Sequence, residues 1–204
     1  MRSHRSMLGT ALLTVALLGT AGAVPAGAVS QPHAVTAPSS FGDGSFETPL
    51  ATAYGFTTLE VGRDIGPWRV THGTVDLIGA GFWAAADGDQ SVDLSGYQAG
   101  AVTQTFATRP GARYLVNYAL AGNPAGAPTV KTGLVRVNGL DVQDFSFDTT
   151  GKTVTDMGYS TQGFEFVASY PQTVLSFVST TPTGYGPVLD GVTVTPVCCE
   201  SCGG

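Results

Sequence analysis

Apolar and polar residues alternate with a period of two along most of this chain, and few stretches carry the spacing of a helix face. Tyr114, Val116, Tyr118 and Leu120 alternate with Leu115, Asn117 and Ala119. Val135 and Val137 alternate with Leu134 and Arg136, while Phe164, Phe166 and Ala168 share a face opposite Glu165. Leu175 and Phe177 alternate with Val174, Ser176 and Val178, and Thr193 separates Val192 from Val194. Successive side chains of a strand point to opposite faces, so each run predicts a strand with one buried side. Turn residues punctuate the runs at Gly42-Asp43-Gly44, Asp87-Gly88-Asp89, Gly122-Asn123-Pro124, Thr150-Gly151-Lys152 and Gly184-Tyr185-Gly186-Pro187. Asn138-Gly139, set between two alternating runs, predicts a tight hairpin. About ten strands at this spacing predict an all-β sandwich or barrel in one domain.

The first 28 residues break the pattern. Arg2 and Arg5 precede an apolar stretch from Leu8 to Leu18, and Ala26-Gly27-Ala28 supplies small residues for cleavage. These are the three parts of a secretory signal peptide, and the stretch is shorter than the roughly 20 residues of a membrane span. Residues 29–40, rich in Ala, Pro, Ser and Thr, read as a flexible lead-in. The domain then occupies residues 41–196, and a Cys-rich tail follows over 197–204.

Export alters the charge balance. Cleavage removes Arg2 and Arg5 and no acid, which moves the net charge from −6 to −8. So acidic a domain is a poor partner for nucleic acid, whose affinity comes mainly from cations on phosphate. Cys198, Cys199 and Cys202 are the only cysteines. An odd number in an exported chain leaves open a local disulfide, a cross-link to another chain or a free thiol.

The order of several phrases is informative. Asp43-Gly44-Ser45-Phe46-Glu47 opens the domain, and Gly66-Pro67-Trp68-Arg69-Val70 and Gly73-Thr74-Val75-Asp76-Leu77-Ile78 follow. Next come Trp83-Ala84-Ala85-Ala86-Asp87-Gly88, Ser91-Val92-Asp93-Leu94-Ser95-Gly96 and Leu120-Ala121-Gly122-Asn123-Pro124. Tyr185-Gly186-Pro187-Val188-Leu189-Asp190-Gly191-Val192 closes the set. Together they resemble the bacterial choice-of-anchor C family and the related domain-of-unknown-function 642 family of cell-wall proteins. The resemblance implies a galactose-binding-like jelly roll of two antiparallel sheets, extracellular residence and association with cell-wall polysaccharide.

The opening and closing phrases also resemble the ends of carbohydrate-binding jelly rolls. That likeness implies a structural calcium held by Glu47 and Asp190, with Asp43 a weaker third candidate. Two carboxylates and backbone carbonyls begin the set of six to eight oxygens that calcium takes. The alternative is that Glu47 and Asp190 are turn or rim residues bonded to backbone.

A sugar site needs flat aromatic faces and polar groups for hydroxyls. Phe82-Trp83 follows the loop-like Gly79-Ala80-Gly81, so one of the two rings is expected to be exposed. Tyr97 and Tyr185 sit among glycines and are expected in open loops, whereas Trp68, in a strand-like phrase, is expected in the core. Asp76 and Asp93 alternate with apolar neighbours and so point away from the core, toward solvent or a face that meets ligand, with solvent favoured. The ligand-binding set is Trp83, Tyr97, Tyr185 and Asp93. Catalysis has little support: His72 is the one histidine within the domain, and no Gly-x-Ser-x-Gly elbow accompanies it. The expectation is a secreted, non-catalytic carbohydrate or cell-wall binding module. The alternatives are a structural or adhesive surface protein acting through protein contacts or its cysteines, and a small hydrolase.

Overall fold

A computed structural model describes residues 40–197. The predicted signal segment and Cys198, Cys199 and Cys202 lie outside the described residues.

Twelve strands form two antiparallel six-stranded sheets, and no helix occurs among the described residues. The first sheet has the order β1 (Phe56–Glu60), β4 (Thr74–Ile78), β5 (Ser91–Asp93), β12 (Pro187–Pro196), β7 (Arg113–Gly122) and β10 (Ser160–Val167). The second has the order β2 (Asp64–Ile65), β3 (Trp68–His72), β6 (Ala101–Ala107), β11 (Gln172–Ser179), β8 (Val130–Val137) and β9 (Leu140–Asp148). From β5 to β8 the chain changes sheet at each strand, and it does so again from β9 to β12, which makes the sandwich a jelly roll. The all-β expectation holds, but the strands number twelve rather than about ten. A strand as short as β2, with two residues, is too brief to display a period.

The alternating runs bury as their patterns require. Tyr118 on β7 meets Phe177 on β11 across the sheets, ring centroids 5.0 Å apart and edge to face. Asn138 and Gly139 both take positive φ, at 51° and 81°, and close the β8–β9 hairpin. A bulge between Asp190 and Thr193 adds one residue to β12 relative to β7 and so reverses its faces. Asp190 consequently looks outward, whereas Val192 and Val194 pack on the core.

Trp68 is fully buried beside Phe41, Phe46 and Phe177, and its Nε1 donates to the Asp43 carbonyl at 2.9 Å. Trp68→Ala is expected to destabilise the domain by about 3–5 kcal/mol, read as a lower urea midpoint at unchanged slope. A loss below about 1 kcal/mol would contradict this packing.

Candidate functional site

The outer face of the first sheet is where the fold departs from simple alternation. On β4, Val75 and Leu77 face the core, while Asp76 and Ile78 face outward. Register then sets Thr58 opposite Asp76 and Phe56 opposite Ile78 on the β1 side, and Asp93 opposite Asp76 on the β5 side. All five residues of β4 are nonetheless buried, because loops fold over this face.

Those loops enclose a cavity of about 440 Å³. Phe56 and Thr58 of β1 and Asp76 and Ile78 of β4 form one side. Phe82 and Trp83 follow β4, Tyr97 lies between β5 and β6, Asn123 and Ala125 lie between β7 and β8, and Tyr185 lies between β11 and β12. Phe82 meets Phe56 edge to face at 5.5 Å, and Trp83 at a tilt with centroids 5.3 Å apart. Tyr97, Phe56 and Tyr185 are 79%, 48% and 44% exposed, so the rim offers bare rings.

Asp93 holds three of these loops in place. Its Oδ1 accepts from the Ser95 amide at 2.9 Å and the Gly186 amide at 3.0 Å, and its Oδ2 accepts from Asn123 Nδ2 at 2.8 Å. The chain approaches so closely that a Cβ on Gly186 would stand 2.6 Å from Asp93 Oδ1. Burial pushes the Asp93 carboxyl up to about 7, against the pull of Asn123 and the two amides, and the nearby Asp76 charge adds to the rise. Burial likewise raises Asp76, partly offset by Thr58, whose hydroxyl donates to its Oδ1 at 2.6 Å.

Three of the four ligand candidates read from sequence, Trp83, Tyr97 and Tyr185, line this one cavity. Two corrections accompany that. Trp83 is buried, at 6% exposure, with its Nε1 donating to Ser91 Oγ at 2.8 Å; of the pair, Phe82 is the more open. Asp93 is completely buried rather than solvent-facing. Its orientation away from the core was readable from alternation, but two of the three loops bonded to it come from remote segments. Phe56 and Asn123 were not singled out, since the first reads as an ordinary strand residue and the second as a turn.

Glu47 and Asp190 converge on a different loop. Asp190 Oδ2 accepts from the amides of Ala86 and Asp87 at 2.7 and 3.0 Å, and Glu47 Oε1 from those of Asp89 and Gln90 at 2.8 and 2.9 Å. Asp43 binds the amides of Glu47 and Thr48 instead. Two carboxylates from opposite ends of the domain thus clamp residues 86–90. Each carries a lone-pair set large enough to accept a cation beside its amide bonds. Among the described residues, however, no three His, Cys, Asp or Glu side chains gather as a metal cluster, so carbonyls would have to supply most of the oxygens. Burial pushes the Asp190 carboxyl up to about 7.

His72 lies elsewhere, in a depression of about 460 Å³ on the second sheet with Thr71, Arg136 and Ser176. No helix of the described residues is long and apolar enough to cross a membrane.

Comparison with known proteins gives a family match over residues 39–195, to the family described as "Protein of unknown function (DUF642)". Halomucin of Haloquadratum walsbyi is 29% identical over 130 residues, which is 62% of this chain and 1% of that protein. The chain therefore spans only a small fraction of that relative. Among solved structures, a family 35 carbohydrate binding module from Clostridium thermocellum shares 15% identity at a TM-score of 0.49, covering 69% of this chain and 99% of the module. A CBM35 from Paenibacillus barcinonensis shares 19% identity at 0.45, covering 68% and 98%. Likenesses this distant carry no ligand with them; the sandwich rests on its own strand pairing.

Proposed function

The chain belongs to the DUF642 family, and on that premise we propose that it is an exported, non-catalytic module that binds glycan in the cavity over its first sheet. One observation carries the reading. Phe56, Phe82, Trp83, Tyr97 and Tyr185 reach one cavity from four separate segments, with Asp76, Thr58 and Asn123 among them. Aromatic faces suit the C–H side of a sugar ring, and the polar groups suit its hydroxyls. The kinship of its phrases with the choice-of-anchor C family and the signal-like N-terminus support placement outside the cell, against cell-wall polysaccharide.

The acids support binding over hydrolysis. A glycosidase sets two carboxyls across a cleft from each other. Here Asp76 and Asp93 are neighbours on adjacent strands, and both oxygens of Asp93 are taken up in holding loops. A glycan array, followed by calorimetry on each hit, tests the proposal. Binding to at least one polysaccharide with no release of reducing ends is expected, and no binding to any glycan or isolated wall would defeat it.

A structural calcium at Glu47 and Asp190 belongs to the same proposal, supported by the convergence of both carboxylates on residues 86–90. It would brace a body with no cysteine among its described residues. Chelator is expected to lower the melting temperature by several degrees, and added calcium to restore it. An unchanged melting temperature would leave the two carboxylates as amide clamps alone.

A further inference from the structure

If the cavity binds glycan as proposed above, its charge decides which glycans enter. Among the described residues, Asp76 is the one charged residue that lines it. Asp93 stands directly across the strand pair beneath it, fully buried. No Arg, Lys or His of the described residues lines the cavity. Lys131 stands behind one wall, its Nζ 6.0 Å from the centre of the Tyr185 ring. That ammonium is not available to a ligand: Lys131 is fully buried, does not line the cavity, and donates to the Gly126 carbonyl at 2.5 Å.

A uronic acid brings a carboxylate that must be desolvated on binding. Proteins offset that loss with a guanidinium, an ammonium or a metal ion. This cavity offers aromatic walls and a like charge. A neutral sugar meets no such obstacle, since its hydroxyls can donate to Asp76 and its ring face can rest on Tyr97 or Tyr185. Like-charge opposition is a device for rejecting a wrong partner without strengthening the right one. We propose that the cavity selects by charge, taking uncharged glycans and rejecting their uronate counterparts, with Asp76 as the discriminating residue.

The test uses the full exported chain at about pH 8, well above the ordinary carboxyl range, because burial raises Asp76. Galactan, mannan and glucan are each presented beside the same polymer oxidised at C6 to the uronate, and affinities are compared within each pair. The expected result is at least about tenfold weaker binding to the oxidised member, equivalent to about 1.4 kcal/mol. Asp76→Asn should narrow that ratio by about threefold or more. Should the variant fail to fold, the wild-type ratio should instead narrow as salt screens the repulsion. Equal affinity within a pair, or tighter binding to the uronate, would overturn charge selection and leave glycan binding standing. Failure to bind any member of any pair would overturn both.

Discussion

Replacing Tyr97 and Tyr185 together by alanine is expected to weaken glycan binding by about 100-fold while leaving the domain folded. Each ring stands at the cavity rim, and an aromatic anchor removed from a binding face typically costs about 1–2 kcal/mol, roughly 5- to 30-fold in affinity. Neither ring belongs to the hydrophobic core, and Tyr97 is 79% exposed. The melting temperature should therefore move by only a few degrees, as for other surface substitutions. Calorimetry against a glycan bound by the wild type reads the first effect, and thermal unfolding reads the second. Undiminished binding by the double variant would place the ligand elsewhere on the sandwich.

The second large effect concerns Asp93 and pH. Its carboxyl is raised from 3.8 to about 7 in the fold, first by burial. Between those values the folded chain holds a proton that the unfolded chain releases. Stability contributed by this group is thus fully present below about pH 4 and is lost as pH rises through about 7, an effect on the order of a few kcal/mol. This is opposite to the usual acid sensitivity of a paired carboxylate. Asp93→Asn should flatten the decline between about pH 4 and pH 7, because the side chain no longer titrates. It should also loosen the site at every pH, since an amide nitrogen facing Asn123 Nδ2 cannot accept its hydrogen bond. Denaturant midpoints of both proteins across this range decide the matter. Parallel profiles would show that Asp93 does not titrate there.

The strands were legible wherever a run was long enough to repeat. The alternations over 114–120 and 175–178 predicted β7 and β11, and Asn138-Gly139 predicted the β8–β9 turn, because period and positive φ are local properties. β2 was not legible, since pairing with its neighbour defines it rather than any pattern of its own.

The site divides along the same line. Tyr97 and Tyr185 could be read as exposed because glycines flank them and leave no room for a strand. The burial of Asp93 could not. Alternation gave the direction of its side chain, but besides its near neighbour Ser95 its partners are residues 123 and 186, which are distant in sequence and brought to it only by the jelly-roll crossings. Trp83 illustrates the converse: a loop position implied exposure, yet Ser91 gave its indole N–H a buried partner. What sequence conveys here is which way a side chain points. What covers it depends on non-local pairing.

Chemical-shift mapping during titration with a bound oligosaccharide tests the central claim most directly. Binding over the first sheet predicts perturbations concentrated at the amides of Phe56, Tyr97, Asn123 and Tyr185, which share no stretch of sequence and meet only at the cavity. Perturbations concentrated instead at Thr71, His72, Arg136 and Ser176, in the depression of the second sheet, would contradict it.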